Sequence, residues 1–223
     1  MERRYYMKNL LLICTLMFSS LAFASDNIDA SAWLSSDYLY RGASLSDGDE
    51  AAGFDFRASD VVVDGLFVST EAAVWDLGGA DASRLDAGVG YGSRLFDGKL
   101  GYSFSAHRVI SSEWNSYSEL RAGVFADLNS KISLYGEIAQ LVEGRDSKDT
   151  FLETGVRVAF TDALWAGVSA SALRSQERDD IDFNNAAVSV GWEVFSGFDL
   201  VGTYSHGGDR LDNEHSVSVR YSF

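Results

Sequence analysis

The sequence predicts an antiparallel transmembrane β-barrel of about 12 strands, preceded by a cleaved signal peptide. Three observations predict it. Twelve segments of about 9–14 residues alternate apolar and polar side chains, the connections between them sort by length, and the chain ends on an apolar-faced strand closed by Phe223.

Composition narrows the class first. The chain has 223 residues, with 18 Lys+Arg against 33 Asp+Glu, a net charge of -15 and no Pro. An apolar fraction of 46% is enough for a packed fold. The acidic balance excludes sequence-independent nucleic-acid binding, which needs Lys and Arg to neutralise phosphates. The lack of Pro suits a chain made mostly of ladder-bonded strands, where Pro removes a donor.

The first element is the targeting segment, residues 1–24. Arg3, Arg4 and Lys8 give a basic start, Leu10 to Phe18 an apolar run, and Ala22-Phe23-Ala24 the small residues a signal peptidase reads, so cleavage is expected before Ser25. The run is too short to span a membrane as a helix. The one cysteine, Cys14, lies inside it, preceded by Ile13 and not by a small residue, so it reads as a hydrophobe and not a lipid anchor. The mature domain, 25–223, then needs no disulfide. Because the leader carries Glu2 as well as its three cations, the mature charge becomes -17.

The strands follow, at roughly 28–41, 50–58, 64–75, 84–94, 99–107, 115–127, 131–142, 150–160, 164–174, 183–194, 197–206 and 214–223. Globular strands average about 5–6 residues, whereas spanning strands need about 9–11. Alternation is plain in 84–94, where Leu85, Ala87, Val89 and Tyr91 oppose Asp86, Gly88, Gly90 and Gly92. Tight turns at Phe96–Lys99, Leu128–Lys131, Phe160–Ala163 and Phe195–Gly197 alternate with longer polar loops at 42–49, 76–83, 108–114, 143–149, 175–182 and 207–213. Outer-membrane barrels sort their connections this way. Phe96, Phe125, Phe160, Phe195, Phe198 and Phe223 lie near the tight turns, where an aromatic girdle is expected. Val217, Val219, Tyr221 and Phe223 form the terminal face expected to be read by the barrel-assembly machinery.

Ser36-Asp37-Tyr38-Leu39-Tyr40-Arg41-Gly42-Ala43-Ser44, followed by Gly65-Leu66-Phe67-Val68-Ser69-Thr70, resembles the N-terminal signature of the TorF-type porin family, proteobacterial proteins of unknown function. Trp75 stands where that family often has a Trp. The resemblance covers about residues 36–75. It implies an outer-membrane barrel with a pore, and supplies no solute and no catalytic residue.

With apolar positions facing lipid, the other face lines the lumen. It collects Asp37, Asp55, Glu71, Asp86, Glu119, Glu137, Glu153, Glu193 and Asp199, interleaved with Arg41, Arg57, Arg94, Arg121, Arg157 and Arg220. The set is expected to line a pore or to fill a narrow interior with ion pairs. The excess of carboxylates predicts a mild cation preference. Asp37 and Arg41, four residues apart on the first strand, would be about 13 Å apart at 3.3 Å per residue and each would meet charges on other strands.

The outer loops are acidic, with Asp47, Asp49 and Glu50, Glu143, Asp146 and Asp149, Glu177, Asp179, Asp180 and Asp182, then Asp209, Asp212 and Glu214. No ordered ligand spacing appears, so they read as solvated loops, with no metal or cofactor expected. A hydrolase would draw on His206 and His215 with Ser205, Asp209 or Glu214, but no catalytic signature is present, and the chain is expected not to be an enzyme. The glycines of 88–92 precede no helix and make no nucleotide site. The expected role is passive diffusion of small hydrophilic solutes across the outer membrane of a Gram-negative bacterium. Expected partners are outer-membrane lipid and lipopolysaccharide. The alternative is a plugged structural or adhesive barrel acting through its acidic loops.

Overall fold

The computed structural model describes residues 27–77, 80–113, 115–144, 149–175, 180–208 and 211–223. The leader 1–24 and Cys14 lie outside the described residues, as do Asp146, Glu177, Asp179 and Asp209.

Twelve strands close into one antiparallel barrel: β1 (Ile28–Ser35), β4 (Ala51–Ser59), β5 (Leu66–Leu77), β6 (Ala80–Leu95), β7 (Leu100–Ser111), β8 (Tyr117–Asp127), β9 (Ile132–Glu143), β10 (Thr150–Ala159), β11 (Leu164–Ser175), β12 (Asp180–Phe195), β13 (Phe198–Gly207) and β14 (Glu214–Ser222). Two more short strands, β2 (Leu39–Tyr40) and β3 (Ala43–Ser44), pair only with each other. Every barrel strand pairs with its chain neighbours, and β1 closes the ring by pairing β14 from Ser31↔Ser222 to Ser35↔Ser218. Closure leaves no unpaired edge, the condition for strands to cross lipid.

The alternation fixes which face is which. On the outward face Leu85, Val89, Phe104, Leu120, Val124, Ile138, Leu152, Val168, Val188, Val190 and Val217 are exposed in an apolar band. In water so large a patch would drive association; against acyl chains it is the stabilising surface.

Phe96, Phe160 and Phe195 mark the turn end and are exposed. Phe198 stacks on Phe195 with centroids 4.6 Å apart, and Phe223 meets Tyr221 edge-on at 4.7 Å. Phe125 departs from the expected girdle. It pairs across the ladder with Gly101 and shares the lumen face with Arg121.

Three expectations are corrected. The first strand does not run to residue 41 but ends at Ser35, because the chain leaves the wall and turns inward as a hairpin. The supposed loop 76–83 is mostly strand, since β5 and β6 continue pairing to Leu77↔Ala80. The polar side chains there mislead because one face of the wall is itself polar. Loop sorting is therefore weaker than predicted: the connections at the far end of the barrel range from two residues to the fifteen of 36–50.

Candidate lumen site

The lumen is built around that inward hairpin, residues 36–50. Arg41 and Gly42 both take positive φ, 52° and 83°, between the pair Tyr40↔Ala43, which makes a tight two-residue turn of the kind glycine permits. Asp37 holds the hairpin base. Its Oδ1 accepts from the hydroxyls of Ser44 at 2.6 Å and Ser46 at 2.7 Å, while Ser46 Oγ accepts from the amide of Tyr38 at 2.9 Å. Asp37 is thus buried inside the hairpin and does not line a pore; the expectation that it did is corrected. Small hydroxyl residues surround it because only they fit a one-atom acceptor in a turn this tight.

The hairpin fills part of the lumen from the β1–β6 side. Tyr38 stacks on Trp33 with centroids 5.4 Å apart and leans on Trp75 at 5.2 Å, over Ala51, Ala73 and Ala82 and beside Leu45. Such aromatic contacts contribute about 0.5–1.5 kcal/mol each beyond the area they bury. The Tyr38 hydroxyl hydrogen-bonds to Glu71 and accepts from Arg84 at 2.9 Å. Burial beneath this aromatic group raises the phenol pKa well above its ordinary value, so Tyr38 stays a neutral donor.

From there the tip crosses to the opposite wall. Arg41 donates to both oxygens of Glu119 on β8, at 2.9 and 3.1 Å, and lies over Phe151 of β10 at 4.6 Å. Asn184 donates to the Arg41 carbonyl at 2.7 Å, and Ser205 to the Gly42 carbonyl at 3.3 Å. Arg41 therefore lies at the tip of a hairpin inside the barrel and not on a barrel strand.

Beneath the hairpin runs an ion-pair network. Arg84 joins Glu71 and Asp86 at 3.1 Å each, and Arg121 bridges Asp86 and Glu119. Asp86 also meets His107 Nδ1 at 2.7 Å, and His107 Nε2 meets Ser105 Oγ at 2.9 Å. The order Asp86–His107–Ser105 has the connectivity of a nucleophilic triad. Here, however, two guanidiniums already hold Asp86, and the strand amides that could stabilise an oxyanion are committed to the ladders of β6, β7 and β8. It works as a structural hub. The other histidine arrangement is divided by the wall. Ser205 pairs with Glu214 on the lumen face, whereas His206 and His215, one residue further along, are exposed on the outer face.

Register places the remaining predicted charges on the lumen face of their strands. Asp55 pairs across with Glu71 and accepts from Ser31 at 3.1 Å, with Arg220 at 3.4 Å. Glu137 opposes Glu153, and Tyr135 donates to Glu153 at 2.9 Å. Glu193 opposes Asp199, which opposes Arg220. Arg57, Arg94 and Arg157 lie near the turn end. A cavity of about 360 Å³ opens below the hairpin, lined by Asp29, Asp55, Arg57, Glu71, His107 and Arg121 among others. The wall facing it, from β11 to β14, has a band of small side chains at Gly167, Ser169, Ser189, Thr203 and Ser218, with Trp165, Glu193, Asp199 and Arg220 toward the turn end.

Around the barrel six lumen rings rest on the wall because the residue opposite each is glycine: Trp33 over Gly53, Phe67 over Gly90, His107 over Gly88, Phe125 over Gly101, Tyr135 over Gly155 and Trp165 over Gly191. A Cβ at any of these glycines would strike the ring. Gly88 and Gly90 therefore serve ring packing. Sequence reading missed Tyr38, Arg84, His107 and Asn184. Arg84 was legible, two residues from Asp86 on the same face. Asn184 had no signal, since its bond to Arg41 forms only once the hairpin tip arrives.

No protein-family model matches the chain, and no curated protein matches it. Solved structures do. The KdgM porin in complex with disordered oligogalacturonate superposes with a TM-score of 0.64 at 12% identity, covering 88% of this chain and 98% of that one. The NanC porin gives 0.58 at 14% identity, covering 88% and 98%. The COG4313 outer membrane channel from Pseudomonas putida F1 gives 0.51 at 12% identity, covering 87% and 94%. What the chain shares with these proteins is the fold, a closed twelve-stranded antiparallel barrel of the outer-membrane porin type.

Proposed function

We propose that the protein is a porin-like channel of a Gram-negative outer membrane, through which small hydrophilic solutes diffuse passively. The observation that carries this reading is the pairing of an outward apolar band with a charged lumen containing a cavity and, on one wall, a band of small side chains. A barrel with no path to offer would pack that wall with larger residues. The hairpin 36–50 occupies the hairpin end of the lumen and sets the size limit. The turn end faces the periplasm, and Val217, Val219, Tyr221 and Phe223 present the face read by the assembly machinery. Lipid and lipopolysaccharide contact the outer face. The chain acts without a cofactor and is not an enzyme.

The mild cation preference rests on fewer groups than the nine carboxylates expected on the lumen face. Asp37, Asp86 and Glu119 are spent on the hairpin and the network, whereas Glu137 and Glu153 oppose each other with no cation in contact among the described residues. The resemblance of residues 36–75 to the TorF-type family supports grouping the chain with it, and gives that signature a structural meaning: it encodes the hairpin.

A plugged barrel is the second reading, favoured by the buried contacts that hold Arg41 on Glu119. The test is single-channel conductance of the refolded mature protein in a planar bilayer under a salt gradient. Steady ohmic current with a cation-shifted reversal potential supports the channel. A folded, heat-modifiable barrel that conducts only after residues 37–45 are replaced by a short Gly-Ser linker establishes the plug.

A further inference from the structure

The turn end of the lumen repeats one construction three times. A glycine on one strand lets the aromatic ring of the next lie flat on the wall, and an arginine stacks on that ring. Arg57 lies over Phe67 at 3.7 Å, Arg157 over Trp165 at 4.1 Å and Arg94 over Phe125 at 4.6 Å. Stacking fixes the plane of the guanidinium and leaves its edge, with all five donors, pointing away from the ring.

The three differ in what those donors do. Arg94 donates to the Gly98 carbonyl at 3.1 Å and faces Asp127 at 3.9 Å, so it is engaged by its own turn. Arg57 and Arg157 make no hydrogen bond and close no ion pair among the described residues, and both are exposed. Asp29 stands across the ladder from Arg57 without reaching it. In the ring of twelve strands β4 and β10 are six apart, so these two arginines occupy opposite walls. Each stands two residues from the turn end of its strand. Arg57 also lines the cavity below the hairpin.

We propose that Arg57 and Arg157 are binding stations for carboxylate-bearing solutes at the turn-end mouth of the barrel. A guanidinium held flat and unpartnered is preorganised for the two parallel hydrogen bonds a carboxylate accepts, because its rotamer entropy is already lost to stacking. The rest of the lumen gives the contrast. Arg84 and Arg121 are each tied to two carboxylates and Arg41 to the buried Glu119, so their charges are already matched within the wall. The proposal adds a ligand class to the channel reading and in bilayers rests on it, but binding itself does not require conduction.

The experiment uses the refolded protein and glutarate, with the uncharged diamide as control. In detergent, calorimetry is expected to show glutarate binding that the diamide lacks. Arg57→Gln and Arg157→Gln are each expected to weaken it about tenfold, the loss of one charge-assisted contact, and the double variant to abolish it. Phe67→Leu leaves the charge and removes the platform, and is expected to weaken binding at the Arg57 station while the barrel stays heat-modifiable. In bilayers, glutarate added at the turn end is expected to interrupt the current in the parent and not in the double variant. Equal binding of the diamide, unchanged binding in the double variant, or no binding by the parent overturns the proposal. Binding without any current sinks the channel reading and leaves the stations standing.

Discussion

Arg41 reaches across the lumen to Glu119, whose side chain has no exposed surface, and closes the gap between the inward hairpin and the far wall with hydrogen bonds of 2.9 and 3.1 Å. Glu119 also holds Arg121, so one buried carboxylate ties the hairpin to the network beneath it. Removing its charge leaves Arg41 without its carboxylate and Arg121 with Asp86 alone. Glu119→Gln is expected to lower stability by about 3 kcal/mol, read as an earlier urea midpoint of the folded, heat-modifiable band. Arg41→Gln leaves Glu119 its Arg121 partner and is expected to cost less while raising unit conductance. Unchanged conductance would mean that the hairpin is held by its aromatic base alone.

The base of the hairpin has its own test. Asp37 accepts from Ser44 and Ser46 in a buried turn. Hydrogen bonds to a charged group are each worth about 1.5–3 kcal/mol. Asp37→Ala is expected to loosen the hairpin without opening the barrel, so current noise and protease cleavage within 36–50 both rise. The β-sheet signal in circular dichroism should hold.

Ion preference is expected to follow Glu137 and Glu153. They face each other across β9 and β10, and like charges directly opposite destabilise a sheet. Glu137→Gln with Glu153→Gln is expected to move the reversal potential toward anions and to leave the thermal midpoint equal or higher. Glu71→Gln is the control, since Arg84 and Tyr38 already engage that carboxylate. If the control shifts reversal equally, bulk lumen charge governs selectivity.

The glycine floors predict a steric effect. An alanine at Gly155 would push its Cβ into the Tyr135 ring, and one at Gly191 into Trp165. Overpacking of this kind costs about 1–3 kcal/mol. The displaced ring has only the lumen to enter, so each variant is expected to show a lower urea midpoint and a lower unit conductance. The same change at Gly202, with open space around its Cβ position, is expected to do neither.

The sequence by itself determined the barrel. Period-two alternation and long strands are local properties, written in residues such as Leu85 to Gly92, and closure follows because an apolar outer face cannot leave an edge in lipid. The face assigned to each strand charge was also legible, since parity along a strand needs no tertiary knowledge. What only the tertiary structure decided begins at Ser35. Asp37 and Arg41 keep the strand's spacing in sequence, and nothing local says that Arg41-Gly42 takes positive φ and turns the chain inward. That choice is made by partners up to 163 residues away, such as Ser205 on the far wall. For the same reason sequence could count the lumen charges but not sort them. Whether an arginine is saturated like Arg84 or open like Arg57 depends on which strands the closed ring brings beside it.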